Sequence, residues 1–300
     1  MFYPAKVPPR CPDELASACF PSLGAPMNKK AIAIAISILL LAVVYPCLAQ
    51  TGGRQKRPLP YEYGRVVIDN YSEQAGLAPV VFEHWIHRTK FTCRVCHLDL
   101  GFAMKAGETG ITASDNAGGY YCGTCHDGKR VFAEGKTAFQ ACSKVVTEED
   151  RKRCDRCHSW GKEVKSDFDF FAFAALLPRG RLGNGIDWMA AEELGLVKPA
   201  SSLDGVFGPF APYGLPEPPA DFALHPPVTG LPNIIFSHEK HAAWNGCALC
   251  HLDIFTGRAR ELIQYTTVEN FHARLCGVCH TNVAFPRADC QRCHSEPAQF

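Results

Sequence analysis

The sequence predicts a chain of mainly irregular coil with short α-helices and minimal β-structure, folded as two similar halves. Three observations carry that expectation. The 300 residues include 25 Gly and 22 Pro, a content that favours irregular backbone over long helices or wide sheets. Cys-x-x-Cys-His occurs six times, at Cys93–His97, Cys122–His126, Cys154–His158, Cys247–His251, Cys276–His280 and Cys290–His294. The residues around the first three copies then recur, in register, around the last three.

Each motif implies a covalently held haem. Two thiols three residues apart can add across the vinyl groups of one ring, and the next residue places an imidazole beneath the iron. Cys93, Cys96, Cys122, Cys125, Cys154, Cys157, Cys247, Cys250, Cys276, Cys279, Cys290 and Cys293 would hold six haem c groups. His97, His126, His158, His251, His280 and His294 would be their proximal ligands. Zinc is the competing reading of paired cysteines. A zinc ribbon brings two knuckles to one metal, however, and has no use for a His after every second Cys. A disulfide across two intervening residues makes a strained redox pair, not a staple. With six rings to wrap, the haems themselves supply much of the expected apolar core.

The repeat fixes the expected organisation. Phe82-Glu83-His84-Trp85-Ile86-His87 precedes Cys93 as Phe236-Ser237-His238-Glu239-Lys240-His241 precedes Cys247. In both copies the histidines stand nine and six residues before the first cysteine. His97-Leu98-Asp99-Leu100 parallels His251-Leu252-Asp253-Ile254, and 25 residues later Cys122-Gly123-Thr124-Cys125-His126 parallels Cys276-Gly277-Val278-Cys279-His280. The third motif differs in spacing, so the first half carries an insertion of 18 residues, which includes Cys142. The sequence is therefore read as triheme module 1 at 60–160, a linker at 161–230 and triheme module 2 at 231–300. Each module has its own three motifs and is expected to stand alone. Within the linker, Asp167–Leu177 reads as a core or docking helix, and Asp187–Leu194 as a second helix capped by Gly195. Pro209 to Pro232 reads as an extended connector.

The N-terminus sets the expected compartment. Lys29 and Lys30 precede an apolar run from Ala31 to Tyr45, and Leu48-Ala49 offers a small residue for cleavage before Gln50. This is the pattern of a secretory signal peptide at 27–49, too short to span a bilayer. A lipoprotein reading of Cys47 is disfavoured, because Val44-Tyr45-Pro46 lacks small residues. Residues 1–26 read as a probable mis-annotated start, with translation expected from Met27. The chain carries a formal charge of +1, and residues 50–300 a charge of −1 before any haem propionate is added. No basic face suggests nucleic acid.

Six histidines remain after the proximal ones: His84, His87, His225, His238, His241 and His272. The repeat-matched pairs and motif-adjacent His272 read as distal ligands, since a c-type iron takes His or Met as its second axial group. These features resemble the class III multihaem cytochromes, most closely tandem triheme cytochrome c7-type domains. The resemblance rests on Phe-x-His-x-x-His before a first motif, Leu-Asp-Ile/Leu after it, and Cys-Gly-x-Cys-His at the second site. It implies that His84 and His238 serve the haems of His97 and His251. His87 and His241 would serve those of His126 and His280, and His272 that of His294. The first half departs from the pattern, with Gly118 where a distal His would stand. Met104, or else His225, is then the candidate sixth ligand of the His158 iron, the remaining case being an open or differently liganded iron.

Saturated irons exchange electrons and offer no seat for a substrate. The expected protein is a periplasmic or cell-surface electron carrier, not an enzyme. Closely packed low-spin haems would pass electrons between quinol-linked donors and a terminal or outer-membrane acceptor, with redox proteins as partners. The alternatives are a multihaem reductase with a catalytic haem at His158, or a cytochrome subunit of a membrane oxidoreductase or porin–cytochrome conduit.

Overall fold

The computed structural model describes residues 29–30, 58–132, 135–143, 147–148, 153–159, 169–206, 217–226, 230–255 and 274–296. The chain divides into two compact units, Met1–Arg57 and Pro58–Phe300. The signal-peptide reading of Ala31–Tyr45, the cleavage site and His272 all lie outside the described residues. Among the described residues no helix is long and apolar enough to cross a membrane.

Structure in the second unit is sparse and short, as the composition predicts. In chain order come β1 (Arg65–Ile68), β2 (Val80–Glu83), α1 (His84–Arg88), α2 (Ala113–Ala117), α3 (Phe170–Ala174), α4 (Trp188–Glu193), β3 (Phe222–Leu224), β4 (Ile234–Phe236), α5 (His238–Ala248) and α6 (Cys290–Cys293). Two antiparallel hairpins organise them. β1 pairs with β2, setting Arg65 opposite Glu83 and Ile68 opposite Val80. Arg65 seals that register with a 2.7 Å cross-strand ion pair to Glu83. β3 pairs with β4 in the same sense, Phe222 facing Phe236. Each hairpin runs directly into the helix that carries the two upstream histidines.

The second hairpin changes the expected boundaries. β3 lies inside the stretch read as linker and extended connector and pairs with β4 at the start of the second repeat. A three-residue strand leaves almost no period-two signal, and the surrounding prolines argue against a strand.

The middle segment is a structural member of the fold. α3 starts where the Asp169 side chain accepts from the backbone N–H groups of Phe171 and Ala172. α4 starts on Asp187, which accepts from Ala190 N, and Gly195 at φ 67° ends the turn behind it. Phe170, Leu177, Ile186, Trp188, Ala191 and Val197 pack around Trp85 from α1, with Ile86, Phe173 and Tyr61 against them. Burying aromatic surface of this kind makes a large apolar contribution.

The two halves also meet directly. Tyr63 donates its hydroxyl to the carbonyls of Thr281 and Ala284, at 3.3 and 3.1 Å. Gly246, at φ 69°, lets α5 come against Leu98 and Arg94, with 3.4 Å to the Leu98 side chain for an added Cβ. α4 bridges both halves: Trp244 donates to Glu192 at 2.9 Å, and Arg292 pairs with Asp187 at 2.8 Å.

These contacts run against self-sufficient modules. Exported with the haem-attachment apparatus, residues 217–300 should load more haem per chain than residues 231–300, which lack β3. Neither fragment should match the second half of the intact protein, because both lack Glu192 and Asp187, the middle-segment partners of Trp244 and Arg292. Intact mass measures the loading, and complete loading of residues 231–300 would show that each half stands alone.

Candidate haem sites

A Cys-x-x-Cys-His segment can present both thiols and the imidazole to one side only if it closes into a turn, since positions i, i+3 and i+4 then share a face. The chain does this. The His N–H donates to the carbonyl of the first Cys at 2.8 Å in Cys122–His126, Cys154–His158 and Cys290–His294, and at 3.0 Å in Cys276–His280. The first motif of each half lies in a wider π-type turn, Val95–Asp99 and Leu249–Ile254. The second motif of each half forms a tight 3-10 turn behind a residue in the left-handed region, Tyr121 at φ 48° and Leu275 at φ 49°. Outside glycine that conformation is uncommon and costs about 1 kcal/mol or more. It recurs at both second motifs.

Gly123 shows why the second motif carries glycine. A Cβ there would overlap the carbonyl oxygen of Asn116 at the end of α2.

The imidazoles are oriented by backbone carbonyls. His84 Nδ1 lies 2.6 Å from Gly64 O, His87 2.9 Å from Glu83 O, and His97 2.9 Å from Phe102 O. His126 reaches Phe139 O, His158 reaches Ala78 O, and His280 reaches Phe285 O. In the second half His238 points to Ala220 O, His241 to Ser237 O and His294 to Pro232 O. A carbonyl only accepts, so Nδ1 must carry the proton and Nε2 keeps its lone pair for a metal. Burial pushes His84 and His87 down to about 4, which holds both neutral at physiological pH.

Ring positions provide a test of fit. An imidazole nitrogen binds a metal at about 2 Å and the ring centroid lies about 1 Å further back, so two imidazoles on one iron stand about 6 Å apart. His84 and His97 are stacked with centroids 6.4 Å apart and planes 10° apart. His87 and His126 stand at 6.2 Å, and so do His241 and His280. In these latter pairs the planes are rotated by 61° and 57°. Three sites thus fit a bis-imidazole iron. Phe82 keeps the first two distal rings apart, at 4.8 Å from His84 and 4.3 Å from His87. Phe236 repeats the arrangement at 5.0 and 4.3 Å from His238 and His241.

Elsewhere the geometry departs from the pattern. No ring contact joins His238 to His251 among the described residues, and His251 Nδ1 is buried without a hydrogen bond. Met104 lines a cavity of about 550 Å³ with Ala103, Glu108, Ile254, Arg274, Leu275 and Val278. That places it against the turn carrying Cys276 and does not favour it as a ligand for the His158 iron. The loop after the first motif folds outward to the other half, a path that spacing alone does not reveal. His225 hydrogen-bonds Asn233 at 3.0 Å, next to the Pro232 carbonyl that holds His294, so it belongs beside the last motif. Asn116 contacts the Cys142 thiol at 3.9 Å.

The zinc alternative finds no support in the geometry. Among the described residues no three His, Cys, Asp or Glu side chains gather as a metal site. Burial pushes the thiols of Cys96, Cys122 and Cys279 up to about 12, keeping them protonated.

Residues 80–159 and 234–295 match the family model of cytochrome c7 and related cytochrome c. Those two stretches belong to that family, and the chain is a multihaem c-type cytochrome holding haem c covalently. It carries the cytochrome c7 type in tandem. Among solved structures it is similar to the C-terminal hexaheme fragment of GSU1996, at 24% identity over 77% of this chain and 96% of that one, with a TM-score of 0.23. The N-terminal hexaheme fragment gives 23% identity over 77% and 97%, with a TM-score of 0.21. The dodecaheme cytochrome c GSU1996 gives 23% identity over 77% and 74%, with a TM-score of 0.22. Superpositions this loose locate no residue. No curated protein matches the chain.

Replacing Gly123 with Ala should cost about 1–3 kcal/mol by overpacking against Asn116 and leave the second site of the first half poorly loaded. Intact mass and a denaturation curve of the holoprotein would measure both. Full loading at unchanged stability would contradict this account of the glycine.

Proposed function

We propose that the chain is a six-haem electron-transfer protein of the periplasm or cell surface, exchanging electrons with redox-protein partners. The three ring pairs at 6.2–6.4 Å carry the reading. Haem c, when bound, supplies one-electron exchange between ferric and ferrous iron. His84 with His97, His87 with His126, and His241 with His280 would fill both axial positions and exclude substrate. His238 with His251, and His272 with His294, are proposed on the repeat and the family resemblance to do the same. The Nδ1 hydrogen bonds hold the rings in place, so little rearrangement accompanies a change of charge.

The attachment cysteines support a continuous row. Burial is the main reason the thiols of Cys96, Cys122 and Cys279 are shifted up, and neighbouring thiols add to it: Cys157 at Cys122, Cys125 and Cys122 at Cys96, and Cys93 and Cys250 at Cys279. Cys293 in turn feels Cys276. The third site of the first half leads through the second to the first, then across the seam into the other half. We propose that electrons take this order between a quinol-linked donor and a terminal or outer-membrane acceptor.

A second reading, a reductase working at the His158 haem, is favoured by one observation. Met104 lines the cavity beside Leu275 and His225 hydrogen-bonds Asn233, so this reading leaves the His158 iron without either as its sixth ligand. In this reading carbon monoxide should bind the ferrous protein at one iron per chain, that of His158. Uniform six-coordination without such binding would exclude it.

The bis-imidazole assignment has a direct test. Replacing His87 with Ala should convert one iron of six to a high-spin state in the electron paramagnetic resonance spectrum of the oxidised protein. The His241→Ala variant should do the same independently. If either variant keeps the wild-type spectrum, that imidazole is not a ligand.

A further inference from the structure

Arg88, the last residue of α1, sits where the two halves meet. One face of its guanidinium lies over Trp188 at 4.2 Å and Trp244 is 5.3 Å away. Nη1 donates to Val283 O at 3.0 Å, while Nε is buried and makes no hydrogen bond within the protein. Glu192 lies within electrostatic reach, but its carboxylate accepts from the Trp244 indole at 2.9 Å. No ion pair joins Arg88 to a carboxylate among the described residues.

A buried cation is costly unless an anion and hydrogen bonds meet it. The position of Arg88 indicates where the anion comes from. It ends α1, which carries His84, and donates to Val283, three residues after His280, so it lies between the first site of the first half and the second site of the second half. Each haem brings two propionates, and guanidinium is the side chain best shaped to grip a carboxylate. The repeat gives Ala242 at the equivalent position, so nothing in the family-type pattern of the second half calls for the charge.

We infer that Arg88 binds a haem propionate at the seam, its Nε–H donating to the carboxylate while Nη1 stays on Val283. The inference rests on haem occupying the sites of His97 and His280. Arg88 would then keep that propionate ionised while cancelling its charge. This holds the midpoint potential of the adjacent haem up and makes it insensitive to pH. The tie also crosses the seam, because α1 and the Val283 loop belong to different halves.

The test compares wild-type, Arg88→Gln and Arg88→Lys holoproteins by spectroelectrochemical titration at acid and alkaline pH, with a crystal structure of the wild-type holoprotein. In Arg88→Gln at least one of the six midpoints should fall, further at alkaline than at acid pH, because the freed propionate then titrates. Lys retains the charge and should restore most of the wild-type value. The crystal structure should place a propionate oxygen within hydrogen-bonding distance of Arg88 Nε. Only water or protein atoms at Nε would overturn the inference, even if Arg88→Gln fails to mature. Midpoints and pH dependence unchanged in Arg88→Gln would overturn it as well. Retention of low-spin spectra in that variant separates this outcome from a failure of the axial-ligand reading.

Discussion

An imidazole serves an iron best when its other nitrogen is tied down and its free lone pair is aimed. Much of this fold can be understood as a way of meeting that demand with very little secondary structure. The hairpins β1–β2 and β3–β4 are too small to be stable alone. What they do is supply carbonyls: Gly64 and Ala220 for the first distal imidazole of each half, Ala78 and Pro232 for the last proximal one. The last motif even joins the sheet edge, His158 bridging Val80 and His294 bridging Ile234. One hairpin thus positions ligands of two different sites, which links the loading of one to the geometry of the other.

What could be read from the sequence follows from where the information lies. The six motifs and the paired histidines are side-chain chemistry at fixed offsets, and such offsets survive any loop path. The pairing of His84 with His97 and of His87 with His126 came from family resemblance, and the rings do stand together. The carbonyl acceptors left no trace, because a backbone oxygen has no residue identity. β3 was hidden by its three-residue length and by neighbouring prolines. The 18-residue insertion was legible as a length but not as a location. Phe139 and Phe285 each accept from the second proximal His of their half, at 3.2 and 3.0 Å, so part of the insertion precedes Phe139 and part follows it. Met104 illustrates the same point: loop membership constrains its distance along the chain but not its direction.

The halves repeat in their ligands and differ in what covers them. At matched positions the first half has Trp85, Ile86, Arg88 and Arg94 where the second has Glu239, Lys240, Ala242 and Ala248. The middle segment accounts for the first two differences. It packs α3 and α4 onto α1, so Trp85 is 4% exposed, while the matching face of α5 meets solvent with Glu239 and Lys240. Arg94 is buried in an ion pair with Asp99 at 3.3 Å, beside the first motif's cysteines. The ligands that the two halves share therefore sit in unequal surroundings, drier and more charged on one side. Burial and neighbouring charge set haem potential at constant ligation, so matched sites in such unequal surroundings are expected to differ in potential. The covering segment, which the motifs do not specify, and Gly118 in place of a distal His together make the two ends of this chain different.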